Sequence, residues 1–162
     1  MEVANRIEQN AIKEVASLLI PLQGESMLLP NVTVAEIVPT AEFQVVLNSP
    51  RWYLGNCQWR ELTVPLLSLE ALNGDEAPSF QARSRFAILN TTGVHEHLPF
   101  IAILTQGLPR LARVSEDEIS ERENETNRDY DLMHVSWAGE LAFIPNINAI
   151  EHTFLEYLHS ND

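Results

Sequence analysis

The run from Gly55 to Leu69 constrains the fold most strongly, because its apolar residues are too few for an isolated helix and are interrupted by Pro65. Gly55 suits a backbone position that a side chain would crowd. Proline cannot donate a hydrogen bond to a neighbouring strand, so Pro65 predicts an edge strand or a β-bulge. The run is therefore predicted to be a short strand that follows a glycine.

Short apolar runs with turn residues between them recur along the rest of the chain. Their spacing predicts hairpins around Gln23-Gly24, Gly93 and Ala138-Gly139. Residues 148–159 instead place apolar side chains at helical spacing, with Asn148 as the predicted N-cap. The pattern predicts an all-β fold with a closing amphipathic helix.

At 162 residues the chain is predicted to form one domain, over residues 15–160. The polar, breaker-rich residues 73–82 predict a linker between a first lobe at about 15–72 and a second lobe at about 83–147, followed by the helix at 148–159. Residues 1–14 are predicted to be a tail or a short helix. The run 115–131 holds eight acidic side chains and predicts a solvated loop.

The charge balance of 10 Lys plus Arg against 23 Asp plus Glu opposes approach to nucleic acid and to anionic membranes. Cys57 is the single cysteine, which excludes an internal disulfide and suits a reducing compartment. The chain lacks a signal-peptide pattern and an apolar run of the ~20 residues that a membrane helix needs. We therefore expect a cytoplasmic protein with protein partners.

The run from Gly55 to Leu69 resembles the central motif of CheW-like domains, which are coupling proteins of bacterial chemosensory arrays. The family pattern is Gly-x-x-Asn-Leu-Arg-Gly-x-Ile/Val-x-Pro-x-x-Asp-Leu, and Gly55, Arg60, Pro65 and Leu69 fall in register with it. Residues 34–37 and 50–55 also resemble family phrases that precede the motif. Among the positions that depart from the pattern, Gln58, Glu61 and Ser68 stand where the family has Asn, Gly and Asp.

This resemblance implies two small, five-stranded, SH3-like β-barrel lobes with the C-terminal helix docked on them. It also implies a non-enzymatic adaptor that couples a methyl-accepting chemoreceptor to a CheA-like histidine kinase and is recruited to membrane receptor arrays. By the same resemblance, Val34, Glu36 and Arg60 fall where the family has receptor-facing or kinase-facing residues. The residues from Leu104 to Arg110 are similar to the ChpC-type branch, which serves type IV pili and twitching motility.

The sequence does not suggest enzyme chemistry or a cofactor, because it lacks a nucleophile with a base, a phosphate-binding glycine loop and a clustered metal-ligand set. His95 and His97 could form half of a zinc site, but no third ligand is suggested nearby. A metal enzyme built on them is one alternative function. Cys57 lies near Arg60, which could lower a thiol pKa, but packing is the favoured role.

Aromatic and arginine side chains cluster between Arg51 and Arg60, and such residues dominate protein interfaces. The same aromatics could instead belong to the core, and the sequence does not decide between these readings. The predicted partner-binding residues are Val34, Glu36, Arg51, Trp59 and Arg60. The main alternative function is a stand-alone β-barrel module that binds a peptide or a small ligand.

Overall fold

The computed structural model describes residues 14–161, which form twelve strands and a closing helix. The strands are β1 (Glu14–Pro21), β2 (Ser26–Pro30), β3 (Val34–Pro39), β4 (Phe43–Gln44), β5 (Tyr53–Trp59), β6 (Leu62–Leu67), β7 (Arg85–Asn90), β8 (Phe100–Thr105), β9 (Arg110–Ser115), β10 (Ile119–Glu121), β11 (Asp131–Trp137) and β12 (Glu140–Pro145). The helices are a 3-10 turn at Asn31–Thr33, the four-residue α1 (Leu69–Leu72) and α2 (Ile147–Ser160). The predicted all-β class with a closing helix is confirmed, whereas the prediction for residues 1–14 lies, except for Glu14, outside the described residues.

The strands form two six-stranded sheets rather than five-stranded ones. One sheet has the order β10-β11-β12-β2-β1-β9 and joins strands from both ends of the chain, so we call it the terminal sheet. The other has the order β3-β7-β8-β6-β5-β4 and is called the central sheet. The sixth strand in each sheet is the very short β10 or β4, which the sequence pattern did not predict.

The predicted lobe boundaries do not match these sheets. The first hairpin, β1 and β2, pairs with β9 and β12 of the terminal sheet instead of joining the strands that follow it. The predicted linker at 73–82 connects α1 to β7, and the strands on both sides of it belong to the central sheet. The chain therefore leaves the terminal sheet after β2, completes the central sheet, and then returns.

Within residues 14–161, apolar side chains form three packed clusters. One fills the inner face of the central sheet and includes Cys57 and Phe86. Another lies within the terminal sheet around Val135. The largest cluster joins the two sheets to α2, with Tyr53 and Phe154 in edge-to-face contact at 5.2 Å between ring centroids. Strands β7 and β8 are therefore buried on both faces, which explains their continuous apolar sequence.

Strand β5 changes its packing partner at a bulge between Tyr53 and Gly55. Tyr53 belongs to the cluster between the sheets, whereas Trp59 belongs to the inner cluster of the central sheet. Gly55 has a φ of +151°, and a Cβ atom at this position would lie 2.8 Å from the ring of Phe43. Only glycine fits there, because short β4 passes directly over this backbone.

Pro65 lies in the internal strand β6, so of the two predicted alternatives the edge strand is wrong, whereas a bulge lies close by, at the register shift between Tyr53 and Gly55 of β5. At this residue, however, β6 is paired only with Asn56 of β5, and its pairing with β8 begins at Leu66. Pro65 has no backbone N–H group to donate. Because β8 is not paired with β6 at this residue, no backbone acceptor of β8 loses a hydrogen bond.

The N-caps of the two α-helices are Ser68 and Asn146, and neither was predicted from the sequence. Ser68, which stands at the aspartate position of the resemblance pattern, caps α1 by accepting a hydrogen bond of 3.2 Å from the backbone N–H of Ala71. Serine and aspartate are both strong N-caps, so this departure conserves the local structure. Helix α2 is capped by Asn146, which accepts from Ala149, and not by Asn148 as predicted.

The acidic run 115–131 is more ordered than predicted, since it contains β10 and an anchored arginine. The side chain of Arg122 is only 13% exposed and lies 3.0 Å from both carboxylate oxygens of Glu25. It also donates to the backbone oxygens of Val135 and Ala142. One cation thus fastens this run to the terminal sheet.

Candidate partner-binding surface

The turn between β5 and β6 consists of two residues, Arg60 and Glu61, because Trp59 pairs directly with Leu62. Both turn residues have positive φ angles, +49° and +65°. This is the backbone of a type I′ turn, which favours glycine or asparagine. The turn therefore holds two charged residues in a conformation that neither prefers, and it exposes Arg60.

Three of the predicted residues meet at this turn, and we call Glu36, Trp59 and Arg60 the Glu36 cluster. The indole nitrogen of Trp59 donates a 2.6 Å hydrogen bond to Oε2 of Glu36. A guanidinium nitrogen of Arg60 lies 3.6 Å from the same oxygen, and its central carbon lies 4.7 Å from the centre of the Trp59 ring. The carboxylate and the ring thus both orient the arginine.

Exposure separates the roles of these residues. The side chains of Arg60 and Glu36 are 68% and 41% exposed, so both can reach a partner. Trp59 is only 8% exposed and packs edge-to-face on Phe100, with 4.8 Å between ring centroids. Trp59 therefore serves mainly to hold the exposed pair in place. The sequence left open whether this ring belongs to the core or to an interface, and the structure places it in the core.

Val34 begins β3, the edge strand of the central sheet, on the strand that also carries Glu36. Its side chain is half-buried and packs against the cluster between the sheets. A register shift between Val34 and Glu36 interrupts the pairing of β3 with β7. Val34 and Glu36 thus lie on the edge strand β3, and Trp59 and Arg60 reach Glu36 from the β5–β6 turn.

Arg51 lies elsewhere. It is exposed in the turn that precedes β5, whereas Trp59 ends that strand, so more than ~20 Å of extended backbone separates them. Its neighbour Trp52 packs on Tyr157 of α2, with 5.8 Å between ring centroids. The predicted residues therefore fall into two regions, one at the edge of the central sheet and one beside α2.

The residues considered for chemistry do not assemble a reactive site. Burial raises the pKa of the Cys57 thiol, which opposes thiolate formation and fits a packing role. His95 and His97 lie in the loop between β7 and β8, with 5.7 Å between ring centroids. Within residues 14–161, no group of three His, Cys, Asp or Glu side chains is placed to hold a metal ion.

Spacing along the sequence did not reveal the hydrogen bond from Trp59 to Glu36, because its partners are 23 residues apart. No pattern in the sequence indicated that Arg51 lies far from the Glu36 cluster. The type of residue was the one indication in the sequence of this hydrogen bond. A tryptophan at an apolar position of a strand usually needs an acceptor for its indole N–H group when it is buried.

These features define a class: a two-sheet β protein that presents two exposed, oriented charges where the β5–β6 turn meets the edge strand β3, and whose described residues hold no metal cluster. A family model, the CheW-like domain, matches residues 16–153. The chain belongs to the CheW-like domain family.

A solved structure supports the same fold. The chain is similar to the scaffolding protein TtCheW from Thermoanaerobacter tengcongensis, with a TM-score of 0.69 and 16% sequence identity. The similarity covers 82% of this chain and 84% of that one. No curated protein matches the chain. Within the part of the chain that the structure describes, no helix is long and apolar enough to cross a membrane.

Proposed function

We propose that this chain is a non-enzymatic adaptor that couples a chemoreceptor to a CheA-like histidine kinase in the cytoplasm, at membrane receptor arrays. Its membership of the CheW-like family supports a scaffolding role. The structural observation that carries the proposal is the Glu36 cluster, where a buried tryptophan orients an exposed carboxylate and an exposed guanidinium at a sheet edge.

The cluster suits recognition because its charged groups are ordered before a partner arrives. Glu36 is held by the indole of Trp59, and Arg60 is held over the ring of that residue. Little side-chain entropy is then lost on binding. The guanidinium retains donors that can pair with a carboxylate of a partner in a planar, bidentate geometry. We assign receptor contact to Val34, Glu36 and Arg60, supported by Trp59.

Arg51 provides a second contact region in this proposal. It precedes Trp52, which packs on Tyr157 of α2, and lies at the opposite end of β5 from the Glu36 cluster. An adaptor that joins two different proteins needs two separate faces. We assign Arg51 to the kinase side, and the assignment rests on its separation from the cluster and on its exposure.

The test is a pull-down from lysate of the native cells, with mass-spectrometric identification of the captured proteins. Wild type is compared with Arg60→Glu, Arg51→Glu and Arg113→Glu. Arg113 is exposed on β9 of the terminal sheet, so its variant carries the same change of charge outside both proposed faces. Circular dichroism of each variant checks that it remains folded.

We expect wild type and Arg113→Glu to capture a CheA-like kinase and a chemoreceptor. Arg60→Glu is expected to lose receptor by about tenfold or more while it keeps the kinase, as expected for a charge at an interface hot spot. Arg51→Glu is expected to show the reverse. Unchanged receptor capture by folded Arg60→Glu contradicts the role of the cluster. Capture of neither protein by wild type favours the stand-alone binding module.

We further propose that the adaptor belongs to the ChpC-type branch, which acts on type IV pili. The departures at Gln58, Glu61 and Ser68, together with the residues from Leu104 to Arg110, support this assignment. Deletion of the gene is expected to abolish twitching and to leave swimming intact. Loss of swimming with normal twitching would place the protein in a flagellar pathway instead.

A further inference from the structure

The imidazole ring of His134 lies between three charged side chains of the terminal sheet. His134 is on β11, and its side chain is only 8% exposed. Its Nε2 is 3.0 Å from Oδ2 of Asp131, and its Nδ1 is 3.2 Å from both Oε2 of Glu25 and Nη2 of Arg122. Glu25 belongs to the turn before β2, whereas the other two belong to the acidic run 115–131. The ring thus contacts the run in its middle and at its end.

The carboxylate of Asp131 fixes one side of the ring. Its Oδ2 accepts hydrogen bonds from the backbone N–H of Arg128 at 3.0 Å and from the Nε–H of the same residue at 3.2 Å. Arg128 also pairs with Asp75, and Asn73 reaches the second oxygen of Asp131. An ionised carboxylate accepts hydrogen bonds and cannot donate them. Nε2 of the ring therefore carries a hydrogen.

The hydrogens of Arg122 determine what Nδ1 of the ring can do. Nη2 of a guanidinium has two hydrogens. In Arg122 this nitrogen lies 3.0 Å from both oxygens of Glu25, 3.0 Å from the oxygen of Ala142 and 3.2 Å from Nδ1 of His134. When Glu25 takes one hydrogen and Ala142 the other, none remains for Nδ1. A proton on Nδ1 removes this shortage, because the ring then donates to Oε2 of Glu25.

The charges around the ring accommodate a cation. The ring nitrogens face two carboxylates, those of Glu25 and Asp131, and one guanidinium, that of Arg122. Behind them, Arg128 pairs with Asp131, and Glu125 lies 3.7 Å from Arg122. Carboxylates therefore outnumber guanidinium groups in this network. A cationic ring has an opposite charge in contact on each of its two nitrogens.

We propose that His134 is a protonation-dependent switch that holds or loosens the acidic run. As an imidazolium, the ring donates to Asp131 and Glu25, and Arg122 keeps its contacts with Glu25 and Ala142. When the Nδ1 proton passes to solvent, the lone pair of Nδ1 faces Oε2 of Glu25 at 3.2 Å. Arg122 must then turn a hydrogen towards Nδ1 and give up part of its contact with Ala142 or Glu25. The run is thereby loosened at Arg122, whereas Asp131 keeps its own donors.

The experiment follows the purified full chain by NMR over about pH 5 to 8, the range in which histidine side chains ordinarily change charge. Long-range ¹H–¹⁵N spectra report which ring nitrogens of His134 carry a hydrogen. Amide exchange, corrected for its intrinsic pH dependence, reports opening of the run through the backbone N–H of Arg122, which donates a 2.9 Å hydrogen bond to the oxygen of His134. The amide of Ala87, in β7 of the central sheet, is the reference for global unfolding. These measurements do not depend on the adaptor function.

Two variants separate this ring from the other histidines. His134→Gln retains a side-chain amide that can donate to Asp131 but does not titrate. His152→Gln is the matched control, because it removes a histidine of α2 whose side chain is 73% exposed. Circular dichroism checks that both variants are folded. If His134→Gln does not fold, the ring and amide transitions of wild type decide the test.

We expect both ring nitrogens of His134 to carry a hydrogen at the acidic end of the titration and Nε2 alone at the alkaline end. Through the same transition, the Arg122 amide should lose about tenfold in protection, as expected for the loss of one charge-assisted hydrogen bond. The protection of Ala87 should not change. The loss should persist in His152→Gln and be absent from His134→Gln.

Four results would overturn the switch. A ring that keeps the same number of hydrogens over the whole range is a fixed part of the structure. A ring transition without a parallel loss of protection at Arg122 shows that the run does not depend on the ring. Equal losses at Arg122 and Ala87 show a change in global stability. A loss that persists in folded His134→Gln belongs to another titrating group.

Discussion

Trp59 donates a hydrogen bond to Glu36 across 23 residues of sequence, and this 2.6 Å contact ties the β5–β6 hairpin to the edge strand β3. The two strands are not neighbours in the central sheet, which has the order β3-β7-β8-β6-β5-β4. The sheet must curl strongly for the contact to form. The exposed charges of the Glu36 cluster are therefore positioned by the curvature of the sheet as well as by the local turn.

Replacement of Trp59 by phenylalanine is expected to lower the free energy of unfolding and to release Glu36. The lost hydrogen bond is charge-assisted and should couple the two residues by about 1 to 2 kcal/mol. Urea unfolding of Trp59→Phe, Glu36→Ala and the double variant measures this coupling through a double-mutant cycle.

Trp137→Phe is a matched control for that cycle. Trp137 is half-buried, and its indole nitrogen has no hydrogen-bond partner among the residues that the structure describes. Its replacement removes an indole without removing a hydrogen bond and should show no coupling with Glu36→Ala. A coupling energy for Trp59 and Glu36 that is no larger than this control would contradict the role of the contact.

Glycine at position 61 is expected to stabilise the protein. Glu61 has a φ of +65°, which costs a residue with a Cβ atom roughly 1 kcal/mol relative to glycine. Glycine adopts this φ without a steric penalty, so Glu61→Gly relieves the strain. Thermal or urea unfolding should show a gain of about 1 kcal/mol, reduced by the greater entropy of glycine in the unfolded chain.

Ala138→Gly tests the same physics at a second turn. Ala138 has a φ of +48° and precedes Gly139 in the turn between β11 and β12. Ala138→Gly should also stabilise the protein. Unlike Glu61→Gly, it does not remove a charge beside Arg60. If Ala138→Gly stabilises and Glu61→Gly destabilises, the Glu61 side chain contributes a favourable interaction that exceeds its backbone strain.

Local features of the fold could be predicted from the sequence because short-range physics determines them. The hairpins at Gln23-Gly24 and Ala138-Gly139 follow from alternating apolar residues around residues that tolerate positive φ. Membership of a sheet is not local in this way. The β1–β2 hairpin pairs with β9 and β12, more than 70 residues away, and alternation in β1 contains no information about that partner.

The candidate site was predictable only in part for the same reason. Val34, Glu36 and Arg60 were located by family resemblance, and whether they contact a receptor is still a prediction. The hydrogen bond between Trp59 and Glu36 depends on curvature that strand patterns do not encode. Glu70 was overlooked because a glutamate beside an apolar run gives no indication that its side chain will be buried.

Arg122 is expected to contribute far more to the free energy of unfolding than an exposed arginine that lies at a similar distance from its carboxylate partner. Its side chain is 13% exposed and satisfies Glu25 and two backbone oxygens. Arg122→Met should lower the free energy of unfolding by about 2 to 3 kcal/mol, because these acceptors lose their donor. Urea unfolding provides the measurement.

Arg110→Met is the matched control for this substitution. Arg110 lies 2.8 Å from Glu140, yet the two side chains are 62% and 40% exposed, so water screens the pair. Its loss should cost less than about 1 kcal/mol. Equal costs for Arg110→Met and Arg122→Met would show that the acidic run is not held by its buried arginine.

The stability of the protein is expected to depend on pH through Glu70. Burial raises the pKa of its carboxyl above the ordinary value of 4.5, although the hydrogen bond from Gln23 opposes this effect. Over the interval from about 4.5 to the raised value, the folded protein holds a proton that the unfolded chain has released. The unfolded state then binds fewer protons, so the free energy of unfolding falls as pH rises through this interval.

Glu70→Gln removes this titration and should be about as stable as wild type at the acidic end of the interval. Its advantage should grow as pH rises and become constant once the carboxyl of folded wild type is ionised. Glu123→Gln, which removes an exposed carboxylate, corrects for the change in net charge. If Glu70→Gln instead becomes less stable than wild type as pH rises, the ionised carboxylate has a stabilising partner.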